Sequence, residues 1–190
     1  GDRSVVLCLD EQSGKLIWQF NLHKLGAGKV SDWEYLGICS SPAVNGDRVY
    51  VVTNLCEVVC LDSKGLADGN DGFEGEPQYL AGPGKPPIAL GPADADVIWR
   101  FDMRDELLVS PHNITSTSPL LIDGRVWVAT SNGVDWSHLN IPNPRAPALI
   151  CLDAQTGELV GEEASGICSR VLHCNWSSAA FGSVNGQGMI

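Results

Sequence analysis

The chain has 190 residues, a formal net charge of −11, and 12 Lys and Arg residues against 23 Asp and Glu residues. Because phosphate groups bind to basic surfaces, this balance argues against a nucleic-acid-binding protein. The hydrophobic share of 44% is enough for a core, but no apolar run reaches the roughly 20 residues of a transmembrane helix. The first residue is Gly1 and no signal-peptide pattern is visible, so we interpret the sequence as a piece of a longer protein.

Short β-branched runs separated by turn residues predict antiparallel strands along the chain. The first two runs, 5–10 and 16–20, predict the last two strands of one four-stranded unit. The strands of the next unit, named A to D in chain order, are predicted at 39–44, 48–53, 57–62 and 96–102. Those of the following unit are predicted at 117–121, 125–130, 148–153 and 158–160, and a looser copy begins at 178–181. No stretch has a sustained helical period, so we expect little helix.

Two sequence elements recur in these units. Leu9-Asp10-x-x-Ser13-Gly14 returns as Leu152-Asp153-x-x-Thr156-Gly157, and the pair Ser41-Pro42 and Asn45-Gly46 returns as Ser118-Pro119 and Asp123-Gly124. The Asn-Gly and Asp-Gly pairs predict tight hairpins between strands A and B. Four-stranded antiparallel units in series predict an all-β fold, the β-propeller, with one blade per unit. We expect one domain over residues 1–190 that forms a partial ring of about three blades, with blade pieces at about 1–20, 38–102, 116–161 and 174–190.

The A–B hairpin followed by L-D-x-x-[ST]-G-x-x-x-W resembles the repeat of pyrroloquinoline-quinone (PQQ)-type propellers. That superfamily includes quinoprotein alcohol dehydrogenases and the propeller lipoprotein of outer-membrane protein assembly. The resemblance implies that a strand-D tryptophan docks on a glycine-containing turn of a neighbouring blade. The residues that take these docking positions are Trp18, Trp99, Gly14 and Gly157, whereas Gly161 stands where the third tryptophan is expected. The resemblance also implies a periplasmic or cell-surface location.

Blade topology assigns the loops to two faces of the ring. The A–B and C–D turns lie on one face, and the B–C and D–A connections, several of which are long, lie on the other. Function is usually carried by long loops on a rigid scaffold, so the candidate binding residues are His112, Asn113, Asp135, Trp136, His138, His173, Asn175 and Trp176. We expect His112, His138 and His173 to meet on one rim of this face. The alternative is that these side chains only pack the loops together.

None of these residues has the spacing of a known zinc or catalytic motif. The sequence therefore predicts no metal site and no catalytic residue. The insertion 63–95, between strands C and D, contains Asp68-Gly69-Asn70-Asp71-Gly72, which partly matches an EF-hand loop. Its glycine falls at position 5 of the loop, whereas calcium loops have it at about position 6. We expect a solvated, partly flexible loop on the A–B/C–D face.

The seven cysteines include three that recur at one place in strand C, namely Cys8, Cys60 and Cys151. A cysteine in an apolar strand behaves as a small hydrophobic residue, so we expect these three to be buried and unpaired. The pairing of the other four stays open.

Two functions are compatible with the sequence. The first is a non-catalytic, extracytoplasmic binding or scaffold module, without a cofactor, that binds a protein or a small molecule on the long-loop face. The alternative, implied by the resemblance, is an alcohol dehydrogenase that uses PQQ with calcium. Enzymes of that type often carry an adjacent Cys–Cys disulfide, and no two cysteines are adjacent here. Whether the protein is an enzyme stays open.

Overall fold

The computed structural model of the chain describes residues 3–24 and 36–190. Most of its regular structure is antiparallel strand. The strands are β1 (Arg3–Leu9), β2 (Leu16–His23), β3 (Ala43–Asn45), β4 (Arg48–Val52), β5 (Glu57–Asp62), β6 (Val97–Asp102), β7 (Leu120–Ile122), β8 (Arg125–Ala129), β9 (Leu149–Asp153), β10 (Leu159–Glu162), β11 (Gly182–Val184) and β12 (Gln187–Met189). The helices are α1 (Glu76–Ala81) and α2 (Met103–Leu107), and single 3₁₀ turns occur at Gly65–Ala67 and Ile167–Arg170.

The strands form two complete four-stranded sheets and two hairpins. The complete sheets have the orders β3-β4-β5-β6 and β7-β8-β9-β10, and the hairpins are β1-β2 and β11-β12. Each complete sheet is therefore an up-and-down meander, as expected for a propeller blade. The predicted all-β fold with a partial set of blades is confirmed.

In the two complete units, strands B and C match their predicted ranges to within one residue, but strand A is shorter than predicted. In both complete sheets strand A has three residues and begins directly after a proline, Pro42 or Pro119. Proline has no backbone N–H to donate to a strand ladder, so pairing begins only beyond it. At the first unit, β1 ends at Leu9, one residue before the predicted Asp10.

The sheets pack face to face, and alternate residues of the central strands contact different neighbours. Val49 and Val51 of β4 pack in a cluster with Trp18 of β2, whereas Tyr50 and Val52 pack in a second cluster with residues of β8 and β9. All residues of β5 are buried, because this strand is covered on both faces. Burial on both faces explains why strands B and C read as continuous apolar runs.

Two tryptophans join successive sheets at the turn after strand C. The Trp18 indole donates to the Ser63 carbonyl at 2.8 Å, and that of Trp99 donates to the Ala154 carbonyl at 3.1 Å. A Cβ at Gly157 would lie 2.6 Å from the Trp99 ring, so Trp99 packs directly on this glycine.

Trp18 covers Gly65, where a Cβ would lie 2.9 Å from the ring, while Gly14 has nothing within 4 Å of its Cβ position. The docking glycine for Trp18 is thus Gly65, which the sequence motif missed. The turn from Asp62 to Gly65 is one residue shorter than the turn from Asp153 to Gly157, because the insertion begins there.

The repeated aspartate at the end of strand C has a partner that also repeats. Arg48, directly after the first A–B turn, forms an ion pair with Asp62 at 2.6 Å, and Arg125 forms the equivalent pair with Asp153. The Asp153 carboxylate also accepts hydrogen bonds from the backbone N–H groups of Gln155 and Thr156, which lower its pKa. The motif aspartate therefore holds the C–D turn in place.

The insertion 63–95, predicted as a solvated, partly flexible loop, is exposed over much of its length but contains a helix, α1, that packs on the sheet. Glu76 and Leu80 of α1 are fully buried, and the Tyr79 ring packs 6.3 Å from that of Phe20. The Leu80 carbonyl accepts a hydrogen bond from Arg3 at 2.6 Å. Arg3 is the first residue of β1 and lies at the B–C/D–A face. The insertion therefore extends along the sheet as far as this face, whereas it was predicted to lie on the A–B/C–D face.

The cysteine prediction is correct at two of three positions. Cys60 and Cys151 are buried, but Cys8 is only half-buried; all seven cysteines are free thiols. Within the described part of the chain, β1 pairs only with β2, so the other edge of β1, the strand that contains Cys8, is not covered by a neighbouring strand.

No helix among the described residues is long and apolar enough to cross a membrane.

Asp96 is a buried carboxyl group that should destabilise the fold at neutral pH. Its residue is 2% exposed, and burial raises its pKa from 3.8 to about 6 although the Asp71 N–H donates to it at 3.1 Å. A carboxyl group whose pKa is higher in the folded state than in the unfolded state stabilises the fold when the pH is below its unfolded-state pKa. This contribution is lost as the pH rises through its folded-state pKa. We expect Asp96→Asn to stabilise the protein by about 1–3 kcal/mol at pH 8. In urea unfolding the gain should disappear at pH 3.5, and a gain of equal size at both pH values would contradict this assignment.

Candidate functional site

Three histidines from separate connections meet on the B–C/D–A face. The ring centroids of His112 and His138 are 4.7 Å apart, those of His112 and His173 are 4.3 Å apart, and those of His138 and His173 are 5.2 Å apart. One ring nitrogen from each lies within 4.8 Å of the others. We call these residues the histidine cluster. The structure thus brings together three residues that the sequence placed on one rim.

Backbone hydrogen bonds hold the three segments side by side. The Gly133 N–H donates to the Ser110 carbonyl at 3.0 Å, and the Val134 N–H donates to the His173 carbonyl at 2.8 Å. Isolated antiparallel bridges pair Pro111 with Asn132 and Gly133 with Cys174. The middle segment, 132–134, is therefore paired to a histidine-bearing segment on each side.

Gly133 is the point of closest approach between these segments. A Cβ at this position would lie 2.4 Å from the His173 carbonyl oxygen, 2.9 Å from the Cys174 Cβ and 3.0 Å from the His112 Cβ. Only a residue without a side chain allows this spacing. The glycine thereby brings the backbones of His112 and His173 close enough for their rings to touch.

His112 is the buried member of the cluster. Its side chain is fully buried, and Nδ1 lies 2.8 Å from the Val134 carbonyl oxygen. A carbonyl oxygen can only accept, so Nδ1 carries the proton of this hydrogen bond. Its own carbonyl accepts from the Trp176 indole at 3.3 Å. These contacts fix the imidazole plane and leave the lone pair of a neutral ring on Nε2.

The loop that carries His138 is ordered by Asp135. This carboxylate accepts from the Ser137 hydroxyl at 2.5 Å and from the Asn140 amide at 3.0 Å, and the two hydrogen bonds lower its pKa to about 2. His138 has a φ of 60°, in the left-handed region, and its N–H donates to the Asp135 carbonyl at 3.0 Å. The Asp135 turn therefore aims an exposed imidazole back towards the cluster.

The remaining candidates divide between the cluster and its support. The Trp176 ring lies 5.0 Å from that of His173 and so packs against the histidine cluster. Asn175 donates to the Ala148 carbonyl at 2.8 Å and so fastens its loop to the sheet, while Asn113 is half-buried with a φ of 62°. Trp136 is 68% exposed and, among the ring contacts of the described residues, it has none with the cluster.

A cleft of about 740 Å³ on the same face was not predicted. Its lining includes the basic residues Arg3, Lys24, Lys85 and Arg104 and the acidic residues Glu57 and Asp102. The cleft exists because α1 and the residues after it reach the ends of β1, β2, β5 and β6. Sequence reasoning missed it, since it treated the insertion as a loop on the other face.

The acidic groups of the cleft already have partners within the fold. Glu57 accepts from Arg100 at 2.6 Å and from the Tyr79 hydroxyl at 2.5 Å. Burial raises the pKa of the Glu57 carboxyl, and these two hydrogen-bond partners oppose the rise. The Asp102 side chain caps α2 through the Arg104 N–H at 2.9 Å. Both carboxyl groups thus serve the fold, and the four basic side chains still outnumber these two acidic ones at the cleft.

His23, the fourth histidine, lines this cleft and lies apart from the cluster. A Cβ at Gly82 would lie 3.0 Å from its ring. Burial, together with the charge of Arg3, lowers the pKa of the His23 imidazole.

Comparison with known proteins supports the propeller fold. Residues 2–67 match the family model described as outer membrane protein assembly factor BamB. Among solved structures, the quinohemoprotein alcohol dehydrogenase of Comamonas testosteroni is 16% identical with a TM-score of 0.50, and the match covers 84% of this chain and 18% of that one. Quinohemoprotein alcohol dehydrogenase ADHIIG of Pseudomonas putida HK5 is also 16% identical, with a TM-score of 0.52 and coverage of 97% of this chain and 25% of that one.

BamB from Moraxella catarrhalis is 13% identical with a TM-score of 0.37, over 86% of this chain and 46% of that one. No curated protein matches the chain. The chain thus spans a quarter or less of the length of the two dehydrogenases. At 16% sequence identity, the similarity supports a shared fold and nothing further. The resemblance to PQQ-type repeat propellers is confirmed.

Proposed function

We propose that this chain contributes blades to an extracytoplasmic, non-catalytic propeller that binds an acidic segment of a partner protein in the cleft on its B–C/D–A face. The observation that carries the proposal is the charge of the cleft. Four of the 12 basic residues of a chain with net charge −11 line this one opening. A cleft that concentrates one sign of charge attracts ligands of the opposite sign.

The state of the six charged groups supports an anionic ligand. Glu57 and Asp102 are engaged with Arg100 and with the start of α2. Arg3 bonds to the carbonyl oxygens of Asn21 and Leu80, which orient its guanidinium without neutralising it. The volume of about 740 Å³ lies within the range of roughly 300–1,000 Å³ that is usual for ligand pockets.

The match of residues 2–67 to an outer-membrane assembly factor favours a protein partner and an extracytoplasmic location. A side chain of Glu or Asp from an extended partner segment would meet Lys85 and Arg104 at the cleft. Carboxylate–guanidinium contacts are strong when the partners are bidentate and partly desolvated.

The test uses a fluorescein-labelled acidic peptide rich in Glu and Asp, with fluorescence anisotropy as the readout. We expect the protein to bind it, to bind a Lys-rich peptide at least tenfold more weakly, and to lose affinity as salt is raised. Lys85→Glu and Arg104→Glu should each weaken binding of the acidic peptide at least threefold. The matched control is Lys15→Glu, which makes the same charge change in the exposed C–D turn on the opposite face. Equal losses in all three variants would show that net charge alone matters and would refute the cleft as the site.

A PQQ-dependent alcohol dehydrogenase is the alternative suggested by the family resemblance. Calcium takes six to eight oxygen ligands at about 2.3–2.6 Å. Among the described residues, the potential metal ligands that converge are the imidazoles of His112, His138 and His173. These are nitrogen donors. All cysteines are free thiols, and no two are adjacent in sequence. The described residues that converge are thus nitrogen donors and do not supply the oxygen ligands that a PQQ–calcium centre takes.

A further inference from the structure

The histidine cluster has the composition of a transition-metal site. Imidazole nitrogen is the donor that zinc, copper, nickel and iron share, and three histidines with an open fourth position are a common zinc arrangement. We propose that His112, His138 and His173 bind a divalent first-row transition-metal ion, with Zn²⁺ as the reference ion. None of the three lines the basic cleft, so this site does not depend on the proposed peptide binding.

The spacing of the nitrogens fits a single ion after a small contraction. Two nitrogens that each bind zinc at about 2.05 Å in a tetrahedron lie about 3.4 Å apart. The cluster brings one nitrogen of each ring within 4.8 Å of the others. His138 and His173 are exposed and His112 is buried, so rotation of the two exposed rings towards a fixed His112 would close this difference.

The surroundings of His112 match those of a metal-bound histidine. Such histidines usually donate the other ring N–H to a carbonyl or carboxylate, which fixes the ring and makes it a better ligand. His112 does so through Nδ1, 2.8 Å from the Val134 oxygen. This directs Nε2 to the ion. His112 is thus the fixed ligand of the site.

The other two ligands approach from the solvent side on ordered loops. His138 follows the Asp135 turn, and the His173 carbonyl is bound by the Val134 N–H at 2.8 Å. Both imidazoles are exposed, which gives an ion a path of entry from solvent. A fourth coordination position therefore faces solvent, where water or a group of a bound partner can occupy it.

The metal would connect two successive blade units. His112 and His138 belong to the connections around β7 and β8, whereas His173 precedes the hairpin β11-β12. An ion bound by all three closes the contact between these units and stabilises the folded state over the unfolded one. The preceding blade units have no equivalent three-histidine link, because His23 is the one histidine of the chain outside the cluster.

Zinc binding to the EDTA-stripped protein, measured by isothermal titration calorimetry, tests the proposal. We expect one equivalent of Zn²⁺ with a micromolar or lower Kd, a higher Tm in zinc, and an intense visible band with Co²⁺, as tetrahedral cobalt gives. Cu²⁺ should quench Trp176, whose ring lies 5.0 Å from that of His173. His138→Gln and His173→Gln should each weaken zinc binding at least tenfold and reduce the cobalt band.

The matched control is His23→Gln, which removes the histidine outside the cluster and should leave zinc affinity unchanged. His112→Gln completes the series, but because His112 is buried, the two exposed positions decide the outcome if this variant folds poorly. Equal weakening by His23→Gln, or no weakening by His138→Gln and His173→Gln, would show adventitious surface binding and overturn the proposal. Absence of zinc binding by the unmodified protein would overturn it as well.

Discussion

Trp99→Ala should destabilise the protein by about 3–5 kcal/mol, the range for loss of a buried large aromatic side chain. Trp99 is 8% exposed, its ring packs 5.9 Å from that of Tyr50, and it covers Gly157. Its indole also donates to the Ala154 carbonyl of the next sheet. The substitution leaves a cavity between two sheets and removes one of the two donors to the Ala154 carbonyl, the other being the Tyr50 hydroxyl at 3.1 Å. Urea unfolding followed by circular dichroism measures the change.

Trp136→Ala is the matched control, since it removes the same side chain from a position that is 68% exposed. We expect it to change the free energy of unfolding by less than about 0.5 kcal/mol, as is usual for surface substitutions. Similar losses in both variants would contradict the assignment of Trp99 as the contact that joins the sheets.

The blade architecture could be predicted because the sequence repeats both the strands and their turns. Asn45-Gly46 and Asp123-Gly124 mark the A–B hairpin at the same place in two units, so the strand positions predicted in one unit can be checked against those in the other. Strand A was the weak point, because Cys39-Ser40-Ser41 before Pro42 was included in the predicted strand although its pairing starts only after the proline. The Trp18 docking site was missed for a related reason: the insertion shortens the motif turn before Gly65.

The histidine cluster could be predicted as a location but not as a chemical site. Loop topology placed His112, His138 and His173 on one rim, since B–C and D–A connections share a face. Their contact depends on backbone pairing around Gly133 and on the left-handed conformation of His138, neither of which leaves a spacing signal in the sequence. This is why the sequence predicted no metal site, whereas the zinc proposal rests on the imidazoles that converge in the structure.

The basic cleft could not be predicted from the residues that line it. Arg3, Lys85 and Arg104 are far apart in the sequence and occur in no motif. They meet because α1 packs on β2 and carries the chain to the opposite end of the sheet. Tyr79 and Leu80 were the available signal, since a solvated loop has no need for aromatic and aliphatic side chains that pack on the core.

Gly133→Ala should separate the segments that bear His112 and His173. The added methyl group would lie 2.4 Å from the His173 carbonyl oxygen and 3.0 Å from the His112 Cβ, and neither backbone-fixed atom can rotate away. We expect a loss of about 1–3 kcal/mol in unfolding free energy, as for other overpacked sites.

The same change should affect the site in two measurable ways. Zinc affinity should fall at least tenfold, because the three imidazoles no longer converge. The backbone of Cys174 pairs with that of Gly133 in the isolated bridge, and burial raises the pKa of the Cys174 thiol to about 12. Its alkylation rate, followed by mass spectrometry of the Cys174 peptide, should rise.

Gly161→Ala is the control for the loss of a glycine, because nothing lies within 4 Å of its Cβ position and its φ is compatible with alanine. It should leave stability, zinc affinity and Cys174 alkylation close to their original values. If Gly133→Ala weakened zinc binding no more than Gly161→Ala does, the convergence of the histidines would not depend on this close approach. Because the expected effect is local, the Trp99 contact between the earlier sheets should stay intact, and the far-ultraviolet spectrum of the variant should match that of the unmodified protein.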